Sequence, residues 1–290
     1  IGSAAQRLSV IAYVEDSSIY SGDLTIGAAN DMTIKAVVGA GSAAVAGGSG
    51  LGGAGAGSGV GTTNQVYSST LAYIDNSSDN NASIVAANVS VSALNDAKIT
   101  ATAAAVSLAI GLSPGGIGVS IAVGATIARN DIYNSVEANV IGQRGSKVQM
   151  LNESLAVLAK DTSEIDATLV GVAVGASVGA TAGLSLSVAA ADGINNVANH
   201  VLAHIKSIDV ETVNGGVSVK AEQQTNITLS AQAASVALAA GGALGASLGG
   251  AGVLGKNDIN NITKAYVDNA SLIIKPRAEY SVTDDTKQLN

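Results

Sequence analysis

Ala12-Tyr13-Val14 returns along the chain as Ala72-Tyr73-Ile74, Ala138-Asn139-Val140, Ala203-His204-Ile205 and Ala265-Tyr266-Val267. The middle residues are 60 (73−13), 66 (139−73), 65 (204−139) and 62 (266−204) positions apart. A unit of this length repeated along a chain marks a stacked architecture, in which each copy buries its faces against the next. The landmark itself reads as a strand. Val136, Ala138 and Val140 alternate with Glu137 and Asn139, and Thr263, Ala265 and Val267 alternate with Lys264 and Tyr266. Alternation of period two gives one buried and one wetter face. In three copies the strand runs into Asp16-Ser17-Ser18, Asp75-Asn76-Ser77 and Asp268-Asn269-Ala270, the residue types that turns require.

After the landmark, each copy holds what reads as two short strands around a polar turn. Leu24-Thr25-Ile26 is followed by Asn30-Asp31 and then Met32-Thr33-Ile34-Lys35-Ala36. The same ten-residue step separates Leu24 from Ile34, Val89 from Ile99, Leu155 from Ile165 and Val217 from Ile227. A low-complexity stretch follows. Its clearest copy is Val106-Ser107-Leu108-Ala109-Ile110-Gly111-Leu112, the turn Ser113-Pro114-Gly115-Gly116, and Ile117-Gly118-Val119-Ser120-Ile121-Ala122-Val123. Residues 170–188 repeat the scheme, 236–253 do so more loosely, and 37–60 have decayed towards Gly and Ala. Each segment presents a bulky face and a tiny face, both read as buried, and the expectation is a soluble sheet whose small face packs against a neighbouring sheet. A membrane helix would need about 20 apolar residues with helical faces, whereas this alternation has period two and the Pro-Gly-Gly turn splits the run. Membrane strands alternate too, but one hairpin per copy does not close a barrel, so membrane insertion is not favoured.

The stretch ends in Asn130-Asp131-Ile132-Tyr133-Asn134, again as Asn257-Asp258-Ile259-Asn260-Asn261, and as Asp192-Gly193-Ile194-Asn195-Asn196. On this alignment the third of these copies carries four extra residues before its landmark, and Gln65 and Ser68 fill the slots in the first. Stacked Asn side chains hydrogen-bond along a solenoid axis and satisfy amides that would otherwise be buried unpaired. Asn130, Asp131, Asn134, Asp192, Asn195, Asn257, Asp258 and Asn261 are therefore expected to be structural turn or ladder residues. Their oxygens would also suit calcium. With one carboxylate per copy and none in the first, a ladder is the better reading, and no cofactor is expected.

Composition narrows the function classes. The chain has no Trp, Phe or Cys, and its core of Ala, Val, Ile, Leu, Gly and Ser implies thin layers with close backbones. A net charge of −8 without basic clusters argues against nucleic acid and anionic lipid as partners. Absence of cysteine leaves the redox compartment open. His200 and His204 lie four apart, but no Glu follows His200 as the zinc-protease pattern demands. Glu137, Asp161, Glu164, Asp166, Asp209 and Glu211 are scattered, and no carboxylate pair recurs between copies, as sugar-cleaving chemistry would need. A non-enzymatic role is expected. The chain starts and stops inside the repeat pattern, so it is expected to be an excerpt of a longer protein.

Gly116-Ile117-Gly118-Val119-Ser120-Ile121-Ala122-Val123 followed by Asn130-Asp131-Ile132-Tyr133-Asn134-Ser135-Val136-Glu137-Ala138-Asn139-Val140 resembles the repeats of giant bacterial surface proteins, the filamentous-haemagglutinin-like and leukotoxin-family filamentous adhesins. Asn257-Asp258-Ile259-Asn260-Asn261 leading to Ala265-Tyr266-Val267-Asp268 matches that pattern best, and the resemblance covers nearly the whole chain. It implies an extended β-solenoid, secreted or anchored at the bacterial cell surface, that mediates attachment to cells or matrix. Its partners would be neighbouring repeats of the same long chain and a protein or glycan of a host or partner cell.

The expected fold is all-β, a right-handed parallel β-helix forming a single elongated domain over 1–290, with repeat landmarks near 13, 73, 139, 204 and 266. Three coils of about 21 residues per repeat would make about 14 coils and a rod of about 65 Å. A β-roll with hairpin insertions at residues 113–116 is the alternative. Tyr13, Tyr73, Asn139, His204 and Tyr266 would line one exposed flank as a contact surface. The alternative functions are a toxin-like membrane-interacting module and a polysaccharide-binding or polysaccharide-processing β-helix.

Overall fold

The computed structural model describes residues 1–3, 5–78, 82–143, 145–150 and 154–275, so the end of the domain expected over 1–290 lies outside the described residues. The chain winds in circuits. β1 (Leu8–Glu15), β2 (Ile19–Tyr20) and β3 (Asp23–Gly47) make the first, and β4 (Leu51–Asn76), β5 (Ser83–Ala86) and β6 (Asn88–Ser113) the second. β7 (Ile117–Gly142), β8 (Lys147–Met150) and β9 (Leu155–Gly179) make the third. The fourth consists of β10 (Ala182–Val197), β11 (His200–Lys206), β12 (Asp209–Val213) and β13 (Val217–Gly241), and β14 (Leu244–Ile259), β15 (Ile262–Asp268) and β16 (Ser271–Lys275) open a fifth. Equivalent strands stack in parallel. Sheet A runs β1-β4-β7-β10-β14, with β11 and β15 continuing its last two rows, sheet B runs β2-β5-β8-β12-β16, and sheet C runs β3-β6-β9-β13. This is a parallel β-helix of stacked repeats.

One repeat is one coil, not three. Tyr13 pairs with Tyr73, Tyr73 with Asn139, Asn139 with His204 and His204 with Tyr266, so the repeat spacing is the length of a full circuit. Five rows at about 4.8 Å span only about 19 Å along the axis, against the longer rod expected, while a 25-residue strand runs about 80 Å. The molecule is wide and shallow. The turn expected at Asn30-Asp31 does not exist, because β3 passes through it unbroken. Asn30 and Asn95 sit at alternate, inward positions and hydrogen-bond to each other along the stack (3.1 Å), which satisfies the amides without bending the chain. The turn at residues 113–116 is real but closes no hairpin. β6 pairs with β3 and β9, whereas β7 pairs with β4 and β10.

The interior tapers because the inward side chains shrink. At the broad end all three sheets enclose Ile74, Val140, Ile205, Val91, Val157, Val148 and Met150. Beyond a polar layer, Val66, Ile132 and Val197 meet Ile99 and Ile165. Then come Ala128, Ala167 and Leu169, and further out Ala109, Ala122, Ala173 and Ala189. Near the far turn the inward row is Gly52, Gly118, Gly183 and Gly245. A methyl group on Gly118 would lie 2.8 Å from the carbonyl carbon of Val178 on the opposite sheet. Sheets A and C thus converge to backbone contact and form a thin wing.

In the wing the large residues point outward. Ile121 is 45% exposed on sheet A, Val106 47% on sheet C and Leu248 68% on the last coil. This overturns the expectation that both faces of these segments are buried. Strand alternation sends every second side chain to the opposite face, and two sheets spaced by Gly, Ala and Ser leave no room between them for Ile or Leu.

Candidate functional site

The landmark residues form one outward row on sheet A, in the order Tyr13, Tyr73, Asn139, His204, Tyr266. Tyr13 and Tyr73 stack with ring centroids 5.3 Å apart, and His204 and Tyr266 with centroids 5.1 Å apart. The row is not the exposed flank that was expected. Tyr13 is 56% exposed, but Asn139 and His204 are only 4% and 5% exposed, each covered by the rows above and below. Asn139 Nδ2 donates to Glu137 Oε1 at 3.0 Å, and His204 Nδ1 lies 3.8 Å from the same oxygen without a hydrogen bond. Burial holds the His204 pKa below its ordinary value; Lys206 acts in the same sense and Glu137 opposes it. The middle of the row is a packing element, and among the described residues Tyr13 and Tyr266 are its exposed members. A second aromatic row, Tyr67 on Tyr133 at 4.9 Å, escapes the sequence reading although both occupy the same repeat position.

The Asn-Asp element builds two ladders. Inside the coil, Asn64 Nδ2 donates to Asn130 Oδ1 (2.8 Å), Asn130 to Asn195 (2.8 Å) and Asn195 to Asn257 (2.9 Å). Outside it, Asp131 accepts from Gln65 Nε2 (2.9 Å), Asn196 Nδ2 (2.7 Å) and Arg129 Nε (3.1 Å), which occupies both carboxylate oxygens with donors. Asp258 continues this row after Asn196. These registers correct the alignment of the third copy. Asn195-Asn196-Val197, not Asp192, stands opposite Asn130-Asp131-Ile132, and no four-residue insertion is present. Asp192 faces outward between Ile127 and Leu254 and belongs to neither ladder.

A third row, Ser68, Asn134, Asn199 and Asn261, enters a polar layer that crosses the interior. Ser68 Oγ donates to Asn134 Oδ1 (2.7 Å), and the Asn134 and Asn199 backbone amides donate to the side-chain oxygens of Asn199 (2.9 Å) and Asn261 (3.0 Å). At its centre lies Asp161, fully buried on sheet C. Its Oδ1 accepts from Asn95 Nδ2 (2.7 Å) and Asn134 Nδ2 (3.1 Å), and its Oδ2 from Asn199 Nδ2 (2.6 Å) and Ser163 Oγ (2.9 Å). Burial pushes the Asp161 carboxyl above the usual carboxylate range, and the four donors oppose that shift. No lysine, arginine or histidine reaches it among the described residues.

The amides and carboxylates of these rows hydrogen-bond to one another. Among the described residues no group of three or more His, Asp or Glu is placed to hold a metal ion. Glu164 and Asp166 do share the outer face of β9, but Glu164 is paired with Lys98 (2.8 Å). A cavity of about 600 Å³ at the turn between sheets A and B is lined by Ser207, Asp209, Asn269, Ala270 and Ser271, with a single carboxylate. Replacing Asn130 with alanine is expected to leave the Asn64 amide and the Asn195 carbonyl without partners. Each orphaned group costs about 1–3 kcal/mol, so urea unfolding should show a loss of about 2–4 kcal/mol. A loss well under 1 kcal/mol would mean that the ladder is incidental.

No protein-family profile matches the chain, and no curated protein and no solved structure matches it.

Proposed function

We propose that the chain is a non-enzymatic structural and adhesive segment of a large bacterial surface or secreted protein, of the filamentous-haemagglutinin-like kind. The observation that carries this reading is the register. Identical positions sit on one another through every coil, and the same three rows of amide and carboxylate side chains knit the coils together. Such a stack holds a fixed surface at a distance and does not depend on one cleft. The amides and carboxylates of its interior rows are committed to each other, and its charged groups are either dispersed or paired on the surface, where ion pairs contribute little.

Contact then falls to the outward rows, at Tyr13 and Tyr266 and at the aromatic pair Tyr67 and Tyr133. The purified chain, coated on beads, is expected to retain cells or matrix glycoproteins, and substitution of Tyr13 and Tyr266 by serine should lower retention severalfold without altering the circular dichroism. A glycan-degradation screen run on the same protein should give no turnover. Turnover of any polysaccharide, or retention unchanged by both substitutions, would count against the assignment.

A further inference from the structure

The two outer faces of the wing are the largest feature that the adhesive reading leaves unused. On sheet A, Ile117, Val119, Ile121 and Val123 stand beside Leu184, Leu186 and Val188, and beside Leu244 and Leu248. On sheet C, Val106, Leu108, Ile110 and Leu112 stand beside Val172, Val174 and Val178, and beside Val236 and Leu238. Charge is excluded from the whole region. Residues 36–74, 99–128, 167–191 and 223–255 contain no Asp, Glu, Lys or Arg.

A face running ten residues along the strand and four strands across measures about 33 by 19 Å, or about 630 Å². Each face alone lies at the upper end of what a typical monomer leaves in its largest apolar patch, about 300–600 Å², and the wing carries two. Pairing one face with another would bury about 1,300 Å² in total, within the range of a specific protein interface.

Lipid and a second copy of the chain could both cover such faces, and area and charge decide between them. Two such faces match in size and in lack of charge, and packed face to face they bury the area of a specific protein interface, whereas an acidic chain without basic clusters offers no footprint for an anionic lipid surface. Because both faces are apolar, a symmetric contact through one would leave the other wet. We propose that copies of this chain stack laterally, the sheet A face of one wing against the sheet C face of the next. A head-to-tail contact of this kind does not close and builds an open array. The charged parts of the coil lie beyond the wing, so net charge does not oppose the contact at physiological salt, where screening is effective within about 8 Å.

Ile121→Glu spoils the sheet A face and Val106→Glu the sheet C face. Both positions are exposed, so the fold should survive, as circular dichroism would check. Light scattering on the wild-type chain is expected to show a mass that grows with concentration. Each variant alone should be monomeric, and an equimolar mixture should form a discrete dimer, because each supplies the face the other lacks. A wild-type chain that stays monomeric overturns the proposal. So does a single variant that still forms dimers, which would reveal a symmetric contact. A monomer that floats with phosphatidylcholine vesicles would give the wing to lipid instead.

Discussion

Replacing Asp161 with leucine is expected to destabilise the fold by about 4 kcal/mol, the sum of several buried donors left without an acceptor. The Asn95, Asn134 and Asn199 amides and the Ser163 hydroxyl all converge on this carboxylate, and no water-exposed route relieves them because Asp161, Asn134 and Ser163 are buried. Asp161→Asn is the discriminating companion. It keeps an acceptor for Asn95 and Asn134 and removes the buried charge but turns a donor towards Asn199, so its cost at neutral pH should be about 1–3 kcal/mol, below that of the leucine. The two variants should also differ from wild type in pH dependence. The folded state holds the Asp161 proton to higher pH than the unfolded chain does. Its contribution to stability is therefore full below the ordinary carboxylate range and is lost as pH rises through the folded value. Glu211 and Glu222 are shifted downward, first by hydrogen bonds from Lys275 and Lys220 respectively, and their contribution is lost only as pH falls through their own lowered values. Thermal unfolding followed from acid to neutral pH should show the wild type losing stability where Asp161→Asn does not. Equal slopes for both proteins, or a leucine variant as stable as wild type, would remove Asp161 from its place as the hub of the polar layer.

The fold class was legible because it rests on periodicity, and periodicity survives low complexity. Ala12-Tyr13-Val14 and its four successors fall in true register, as do Asn130 with Asn257 and, in the first copy, Gln65 and Ser68. Coil size was not legible. Three strands of about 21 residues in all and three strands of about 65 have the same alternation, and nothing local says whether Asn30-Asp31 bends the chain or lies inside a strand. That is settled by the partner one coil away, Asn95, which a local reading does not see. The same limit hid Asp161. In sequence it is one acid among several, and its role comes from Asn134 and Asn199, 27 and 38 residues distant. The misplaced Asp192 shows the opposite error, a local likeness to Asp131 that the pairing of Asn196 with Asp131 overrules. Which face of the wing is buried turned on volume. Glycine and alanine let the two sheets meet, and that excludes the larger residues from the inside however apolar they are.

This inversion of the usual packing makes the second large prediction, and it contrasts two glycines that sequence alone treats as equivalent. Gly118→Val is expected to open the wing. The new side chain would start 2.8 Å from the Val178 carbonyl carbon and 3.0 Å from the Gly111 carbonyl oxygen, with backbone rather than flexible side chain in the way. Overpacking a tight core costs about 1–3 kcal/mol, and here a whole row of glycines must separate, so about 3 kcal/mol or more is expected. The loss should be local. The broad end keeps Ile74, Val140 and Met150, while the amides of β6, β7, β9 and β10 near the turns should lose hydrogen-exchange protection. Gly53→Val, on the outer face where an added Cβ meets nothing within 4 Å, should be neutral or stabilising by under about 1 kcal/mol. It stands in register with Val119 and Leu184 and would extend their row to the first coil. If both valines prove equally tolerated, the two sheets are not in contact there, and the bulky residues face outward for some reason other than lack of room inside. A large loss at Gly118 with none at Gly53 ties the exposed apolar faces to the glycine row beneath them. The surface available to a partner is then fixed by the smallest residues of the core.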